Sequence, residues 1–146
     1  MHEDAQIVDP HDSVRDEAGA IAEAFRAAVQ YAIGERDVDR LKELTGGLHE
    51  ADMGDLLEAL DGDERRRLIE LLGSAFDFTA LTELDETMRV QILHALSPGL
   101  VAKGISALDS DDAVYILEDL DEADTAAILD HLPAPERVAL LRSLDY

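Results

Sequence analysis

The chain has 146 residues, of which 47% are apolar and 32% charged, a balance that fits a globular domain and excludes a disordered chain. Cysteine is absent, which excludes disulfides and thiolate metal sites, and the longest apolar run, residues 113–117, is far too short to span a bilayer. The net charge of −22 predicts repulsion from nucleic acids and anionic lipids, and attraction to cations or basic partners, although a high-salt source also favours acidic surfaces.

Residues 1–12 lack periodicity and are predicted to form a flexible acidic leader. They do not have the basic start and apolar stretch of a signal peptide, so we expect a cytoplasmic location. The folded domain is predicted to cover residues 13–146.

Two helices are predicted before residue 48. The first is expected to be capped by Ser13, to run along one apolar face over residues 14–33, and to stop at Gly34. The second is shorter, with Asp37 as its cap and the glycines at 46–47 as its end.

Leucine then recurs every twelve residues, and another aliphatic residue precedes each of the last eight leucines by three positions. Since the chain has 22 leucines in 146 residues, this unbroken series indicates a repeat architecture. Each unit is predicted to be a helix of about nine residues that ends at its leucine. The leucines are Leu48, Leu60, Leu72, Leu84, Leu96, Leu108, Leu120, Leu132 and Leu144, and the preceding aliphatics are Leu57, Ile69, Leu81, Leu93, Ile105, Leu117, Leu129 and Leu141.

A turn or capping residue follows each of the last eight repeat leucines, as in Asp61, where Glu64 completes a capping-box pattern. A weaker period of 24 residues overlies the first, because Arg65, Arg89 and Arg137 share a phase in which Ala113 fills the missing place. Two helices per 24 residues predict helical hairpins in series. We therefore predict an all-α fold of about ten short helices, stacked as a right-handed superhelix, or α-solenoid, of the armadillo or HEAT type.

No catalytic constellation is recognisable. The five histidines do not form the HExxH spacing, and no serine lies in a nucleophile-elbow context, so we expect no enzyme. His94 and His131 are expected to be exposed helix residues, His49 to lie at a cap, and the arginines at 65–67 to pair with local carboxylates.

Acidic residues dominate the segment between Lys103 and Arg137, which holds ten carboxylates and no Lys or Arg. Half of them are explained as helix caps or their first-turn partners, which the helix dipole favours. The acids without a capping role are Asp111, Glu118, Asp119, Glu122 and Asp130. Such oxygens suit Mg²⁺, which keeps several waters and needs one or two carboxylates from a protein face; a solvated acidic surface is the alternative.

The sequence from Leu48 to Leu60, LHEADMGDLLEAL, resembles the opening of the N-terminal cytosolic domain of MgtE-type magnesium transporters. The segment LDSDDA at residues 108–113 and the leucine repeat match that family as well. The resemblance implies a helical superhelix that precedes a pair of CBS domains and the transmembrane channel of the same, homodimeric protein. It places the domain at the cytosolic face of the membrane, without membrane insertion of its own and without a nucleic-acid partner.

The resemblance also implies a regulatory role. Low-affinity Mg²⁺ ions shared between the superhelix and the CBS pair would favour a closed channel, because only a ligand that binds one state better can shift the equilibrium. Asp111 and Asp112 match the family's Ser-Asp-Asp segment, and Glu118 completes the predicted metal ligands. Thr79 and Tyr115 stand where the family often carries further acids. The alternative is a metal-independent scaffold for protein–protein interaction, since the rotor-switch protein FliG contains similar helical units.

Overall fold

The structured elements within residues 14–144, the part of the chain that the computed structural model describes, are all helices, apart from one isolated β-bridge. The predicted leader and the predicted cap Ser13 lie outside these residues. Nine α-helices and two 3₁₀ helices are formed in the described range, which confirms the all-α prediction. None of these helices is long and apolar enough to cross a membrane. The chain divides into two compact units, with the boundary between Ala75 and Phe76.

The first unit is built around α1, which packs on α2 and α4, while α2 also packs on α4. Its core includes the fully buried side chains of Phe25, Leu41, Leu57 and Leu68. The elements are α1 (Glu23–Gly34), α2 (Val38–Thr45), α3 (Glu50–Ala59), α4 (Gly62–Leu72) and the 3₁₀ helix Gly73–Ala75.

Helix α1 ends at Gly34 as predicted, but it begins at Glu23 rather than near residue 14. The preceding residues form a turn that is closed by an isolated antiparallel bridge between Arg15 and Ile21. The Asp16 carboxylate accepts hydrogen bonds from the backbone N–H groups of residues 18 and 20, at 2.9 and 3.0 Å. Such local side-chain bonds compete with helix formation, which explains why the apolar periodicity over-extended the predicted helix.

In the second unit, α6 packs on α8 and α7 packs on α9, so that each of these two helices packs on the helix after next. The packed helices start 24 residues apart, which is the longer period of the sequence. A 3₁₀ helix, Phe78–Glu83, packs on α7 from the N-terminal side of the unit. The remaining elements are α5 (Glu86–Ala95), α6 (Pro98–Ser106), α7 (Ser110–Leu117), α8 (Glu122–Leu129) and α9 (Ala134–Leu144).

Burial follows the twelve-residue period. Six of the nine repeat leucines are buried, and Leu48, Leu108 and Leu144 are half-buried. Seven of the eight aliphatics three positions earlier are buried as well. The exception is Leu141, which is 38% exposed because no described element packs on that side of α9.

The predicted caps form where the sequence places them. Asp37, Asp61, Asp85, Asp109 and Asp121 each accept a hydrogen bond from a first-turn backbone N–H group of the helix that follows. The Asp61–Glu64 capping box is complete. Ser97 caps α6 ahead of a proline at the first helical position, where no N–H group is required.

The repeat unit that ends at Leu84 differs from the prediction, because it contains two 3₁₀ helices instead of one α-helix. Gly73 ends α4 with a φ of +55°, in the region that favours glycine. Asp77 then accepts a hydrogen bond from the Thr79 N–H group, only two residues on, which favours a tight turn over an α-helix.

Gly104 of α6 allows a close approach of the Phe78 ring, which is buried. A Cβ atom at residue 104 would overlap that ring. We expect Gly104→Ala to lower the free energy of unfolding by about 1–3 kcal/mol, since over-packing forces a core side chain or backbone to move. Urea denaturation followed by circular dichroism measures the change.

Gly34→Ala is the matched control, because a Cβ atom there meets nothing within 4 Å. It should leave the stability unchanged or raise it slightly. Equal stabilities for the two variants would show that Phe78 does not constrain residue 104.

Candidate functional site

The predicted metal ligands lie along α7 of the second unit. Asp111 is exposed in the first turn, and Asp112 beside it is half-buried. The backbone N–H of Asp112 donates to the capping carboxylate of Asp109 at 3.0 Å. Glu118 is exposed and follows the last residue of α7. The helix therefore presents carboxylates at both of its ends.

The geometry separates Glu118 from the two aspartates. Seven residues of α-helix rise about 10 Å, whereas Mg²⁺ binds its oxygens at about 2.0–2.1 Å. Within residues 14–144, no three His, Asp or Glu side chains are grouped closely enough to hold one metal ion. Asp111 and Asp112 thus remain a predicted pair of ligands, and Glu118 a predicted ligand at a second position.

Most of the acids without a capping role have no partner among the described residues. The side chains of Asp111, Glu118, Glu122 and Asp130 are exposed and form no hydrogen bond or ion pair there. Within the described part of the chain, no cationic side chain neutralises these four carboxylates. Oxygen ligands of this kind suit a hard divalent cation that keeps much of its water.

Asp119 is different, because Arg89 of α5 neutralises it. The Arg89 Nη2 donates to the Asp119 Oδ2 at 2.7 Å, and Nη1 donates to the Leu84 carbonyl oxygen at 2.9 Å. The arginine side chain is only 3% exposed, and its Nε is buried without a hydrogen-bond partner. The guanidinium carbon lies 4.7 Å from the centre of the Tyr115 ring, a cation–π contact.

This arrangement was not foreseen for Asp119, although the 24-residue arginine phase was the signal that could have revealed it. It also gives Tyr115 a structural role at a position where the family resemblance implied an acid. Thr79, the other such position, caps nothing and donates its backbone N–H to Asp77.

Two further side-chain pairs of the second unit link residues that are 30 apart, as Arg89 and Asp119 are. The His94 Nε2 lies 2.8 Å from the Asp124 Oδ2, and the Ser106 Oγ donates to the Glu136 Oε1 at 2.7 Å. His94 and His131 are exposed as predicted, and His49 is the N-cap residue of α3 without a side-chain capping bond. The three pairs join successive hairpins.

In the first unit, more of the acidic side chains form ion pairs with arginines of the same unit. Arg66 pairs with Asp63 at 2.6 Å and with Glu70 at 2.9 Å. The pKa of the Arg66 guanidinium lies above its usual value, chiefly because Asp63 accepts its hydrogen bond, with the Glu70 charge as the next cause. Arg67 approaches Asp63 at 3.8 Å, whereas Arg65 donates to a backbone carbonyl.

At the start of that unit, Arg15 donates to Asp52 and Asp55, each at 2.7 Å. These bonds, the one to Asp55 first, raise the pKa of Arg15. The clearest surplus of unpaired acids is consequently in the second unit, on α7 and in the segments beside α8.

Comparison with known proteins places this geometry in a family. The family model described as the MgtE intracellular N domain matches residues 48–146, which is 99 of the 146 residues. The chain belongs to this family. The match begins at the leucine that opens the twelve-residue repeat and includes all of α7 and α8.

A solved structure has the same fold as this N domain. It is the crystal structure of the soluble part of a magnesium transporter, which superposes with a TM-score of 0.69 at 22% sequence identity. The alignment covers 85% of this chain and 49% of the other, so the N domain spans about half the length of that soluble part. The curated proteins include no significant match.

The buried position of Arg89 predicts a large effect on stability. We expect Arg89→Ala to lower the free energy of unfolding by about 2–4 kcal/mol, because it removes a buried side chain and leaves Asp119 and the Leu84 carbonyl without their donor. Chemical denaturation of the purified chain measures this loss.

Arg66→Ala serves as the comparison, since Arg66 also pairs with two carboxylates but at the surface. Its loss should lower the stability much less than the loss of Arg89, because solvent screens surface ion pairs. If the two variants were equally stable, the Arg89–Asp119 pair would not be a structural link between the hairpins.

Proposed function

We propose that this N domain is a magnesium-responsive regulatory domain of a magnesium transporter. In this proposal, carboxylates of the α7 surface bind Mg²⁺ ions that are shared with an adjacent pair of CBS domains. The shared ions favour the docked arrangement, in which the transmembrane channel is closed. The domain performs no catalysis of its own.

The observation that carries the proposal is the surplus of unpaired carboxylates in a domain of this family. Asp111 and Glu118 are exposed, and no described cationic side chain neutralises them. Residues 76–144 carry fourteen acidic and only four basic side chains, so a cation is attracted to this unit. The Asp111–Asp112 pair in the first turn of α7 lies in the segment that resembles the family's motif.

An incomplete ligand set is what such a sensor requires. If three or more ligands came from this domain alone, Mg²⁺ would bind equally well to docked and undocked states and would shift nothing. Because the described residues supply one or two carboxylates at each position, full coordination needs water or a second surface. A shared ion then stabilises only the docked state.

The interaction must also be local. Exposed charges separated by more than about 8 Å are largely screened at physiological salt. Repulsion between two acidic surfaces therefore matters only when they are nearly in contact, and an ion between them removes it there. The Arg89–Asp119 pair neutralises one carboxylate beside α7 internally, which leaves Asp111 and Glu118 as the charges that a shared ion would balance.

Titration of the chain with MgCl₂ at constant ionic strength, followed by ¹⁵N NMR, tests the proposal. We expect saturable shifts of the Asp111, Asp112 and Glu118 amides with a midpoint in the low-millimolar range, and a several-fold higher midpoint in Asp111→Asn. Glu86→Gln is the matched control, because Glu86 is also an exposed first-turn acid of a helix in the same unit. Its midpoint should equal that of the unaltered chain.

Two results would count against magnesium sensing at α7. One is an absence of shifts below tens of millimolar, and the other is a midpoint that Asp111→Asn does not change. Either result would favour the metal-independent scaffold. Coding sequence for CBS domains and membrane segments after residue 146 would support the proposed partners independently.

A further inference from the structure

A cavity of about 210 Å³ lies beside Ala113 in the second unit, between the end of α6, the start of α7, and α9. Its lining includes Leu108, Ala113, Glu136 and Ala139. Ala113 stands at the one position of the 24-residue arginine phase that lacks an arginine, so the cavity lies where that arginine is missing.

At the other places of that phase, the arginine side chain binds the end of the preceding helix. Arg89 Nη1 donates to the Leu84 carbonyl oxygen at 2.9 Å, and Arg137 Nη1 donates to the Leu132 carbonyl oxygen at 3.2 Å. Arg65 Nε donates to the Leu57 carbonyl oxygen at 2.7 Å. The fold thus uses guanidinium groups repeatedly to satisfy carbonyl groups between the helices of a hairpin.

At Ala113, no arginine is present to donate to the carbonyl group that corresponds to those of Leu84 and Leu132. Leu108 precedes Ala113 by five residues, as Leu84 precedes Arg89 and Leu132 precedes Arg137. Among the described residues, no hydrogen bond to the Leu108 carbonyl oxygen is formed. The Glu136 Oε1 accepts a bond from Ser106, which leaves its Oε2 as a second acceptor at the cavity.

We propose that this cavity binds the guanidinium group of an arginine side chain presented by a partner protein. A guanidinium has five N–H donors and no acceptor, which suits a cavity whose lining combines the Glu136 carboxylate and the Leu108 residue with apolar side chains. The cavity is smaller than the roughly 300–1,000 Å³ of ligand pockets, so it fits a single side chain and not a cofactor.

Residues 1–146 supply no arginine to this cavity. None of the described arginines lines the cavity, and the residues outside the described range, 1–13 and 145–146, include no Lys or Arg. The net charge of −22 favours a basic partner electrostatically. This binding requires no magnesium and is independent of the proposed sensing at α7.

The probe for a first experiment is N-acetyl-arginine-N′-methylamide, titrated at about 150 mM salt so that long-range attraction is screened. Methyl NMR of ¹³C-alanine-labelled protein should show saturable shifts of the Ala113 and Ala139 methyl groups. The citrulline analogue, which has nearly the same shape but no charge, should not shift them. Equal shifts with both probes, or no saturable shift with arginine, would overturn the proposal.

Variants of the chain make the test specific. Ala113→Arg fills the cavity with the chain's own guanidinium, so it should abolish probe binding and raise the melting temperature by about 4 °C. Glu136→Gln should weaken binding about five-fold without filling the cavity, and it decides the question if Ala113→Arg does not fold. Glu86→Gln should leave binding unchanged. Undiminished binding in Glu136→Gln would place the probe elsewhere.

Discussion

Helices of eight to twelve residues do not persist alone in water, because the cost of nucleating them exceeds what so few hydrogen bonds return. Every α-helix in residues 14–144 is of this length, so each depends on burial against its neighbours. The leucine that recurs every twelve residues, with its aliphatic companion three positions earlier, supplies that burial. Leu141 is the one aliphatic companion that is not buried, and no described helix follows the helix that carries it.

The same constraint explains much of the acidity. A fold of many short helices has many helix N-termini, and each N-terminus leaves backbone N–H groups that need acceptors. Asp61, Asp85, Asp109 and Asp121 meet this need directly. Capping therefore accounts for one class of carboxylate, and the Arg89–Asp119 pair accounts for another. The exposed acids that remain on α7 and around α8 have no structural role in the described residues, which is why they are the candidates for binding.

The sequence was sufficient to predict those parts of the fold that depend on local chemistry. The period, the capping aspartates and the stop at Gly34 all act within one or two turns of helix. The prediction failed at residues 14–22 and at residues 73–83, where Asp16 and Asp77 form turns with backbone groups two residues ahead. It also did not pair Asp119 with Arg89, because the 24-residue phase marks the recurring arginine but does not specify which carboxylate that arginine meets thirty positions away. The metal ligands stay a prediction, because they rest on resemblance and exposure.

The three side-chain links of the second unit each span thirty residues, and α6 and α7 each pack on the helix after next. Native contacts in this unit therefore join segments that are near one another along the chain, which corresponds to a low contact order. Chains of that kind close only short loops as they fold, and they reach the native state rapidly. A hairpin that has just left the ribosome already has its packing partner available, so this unit can assemble progressively during synthesis.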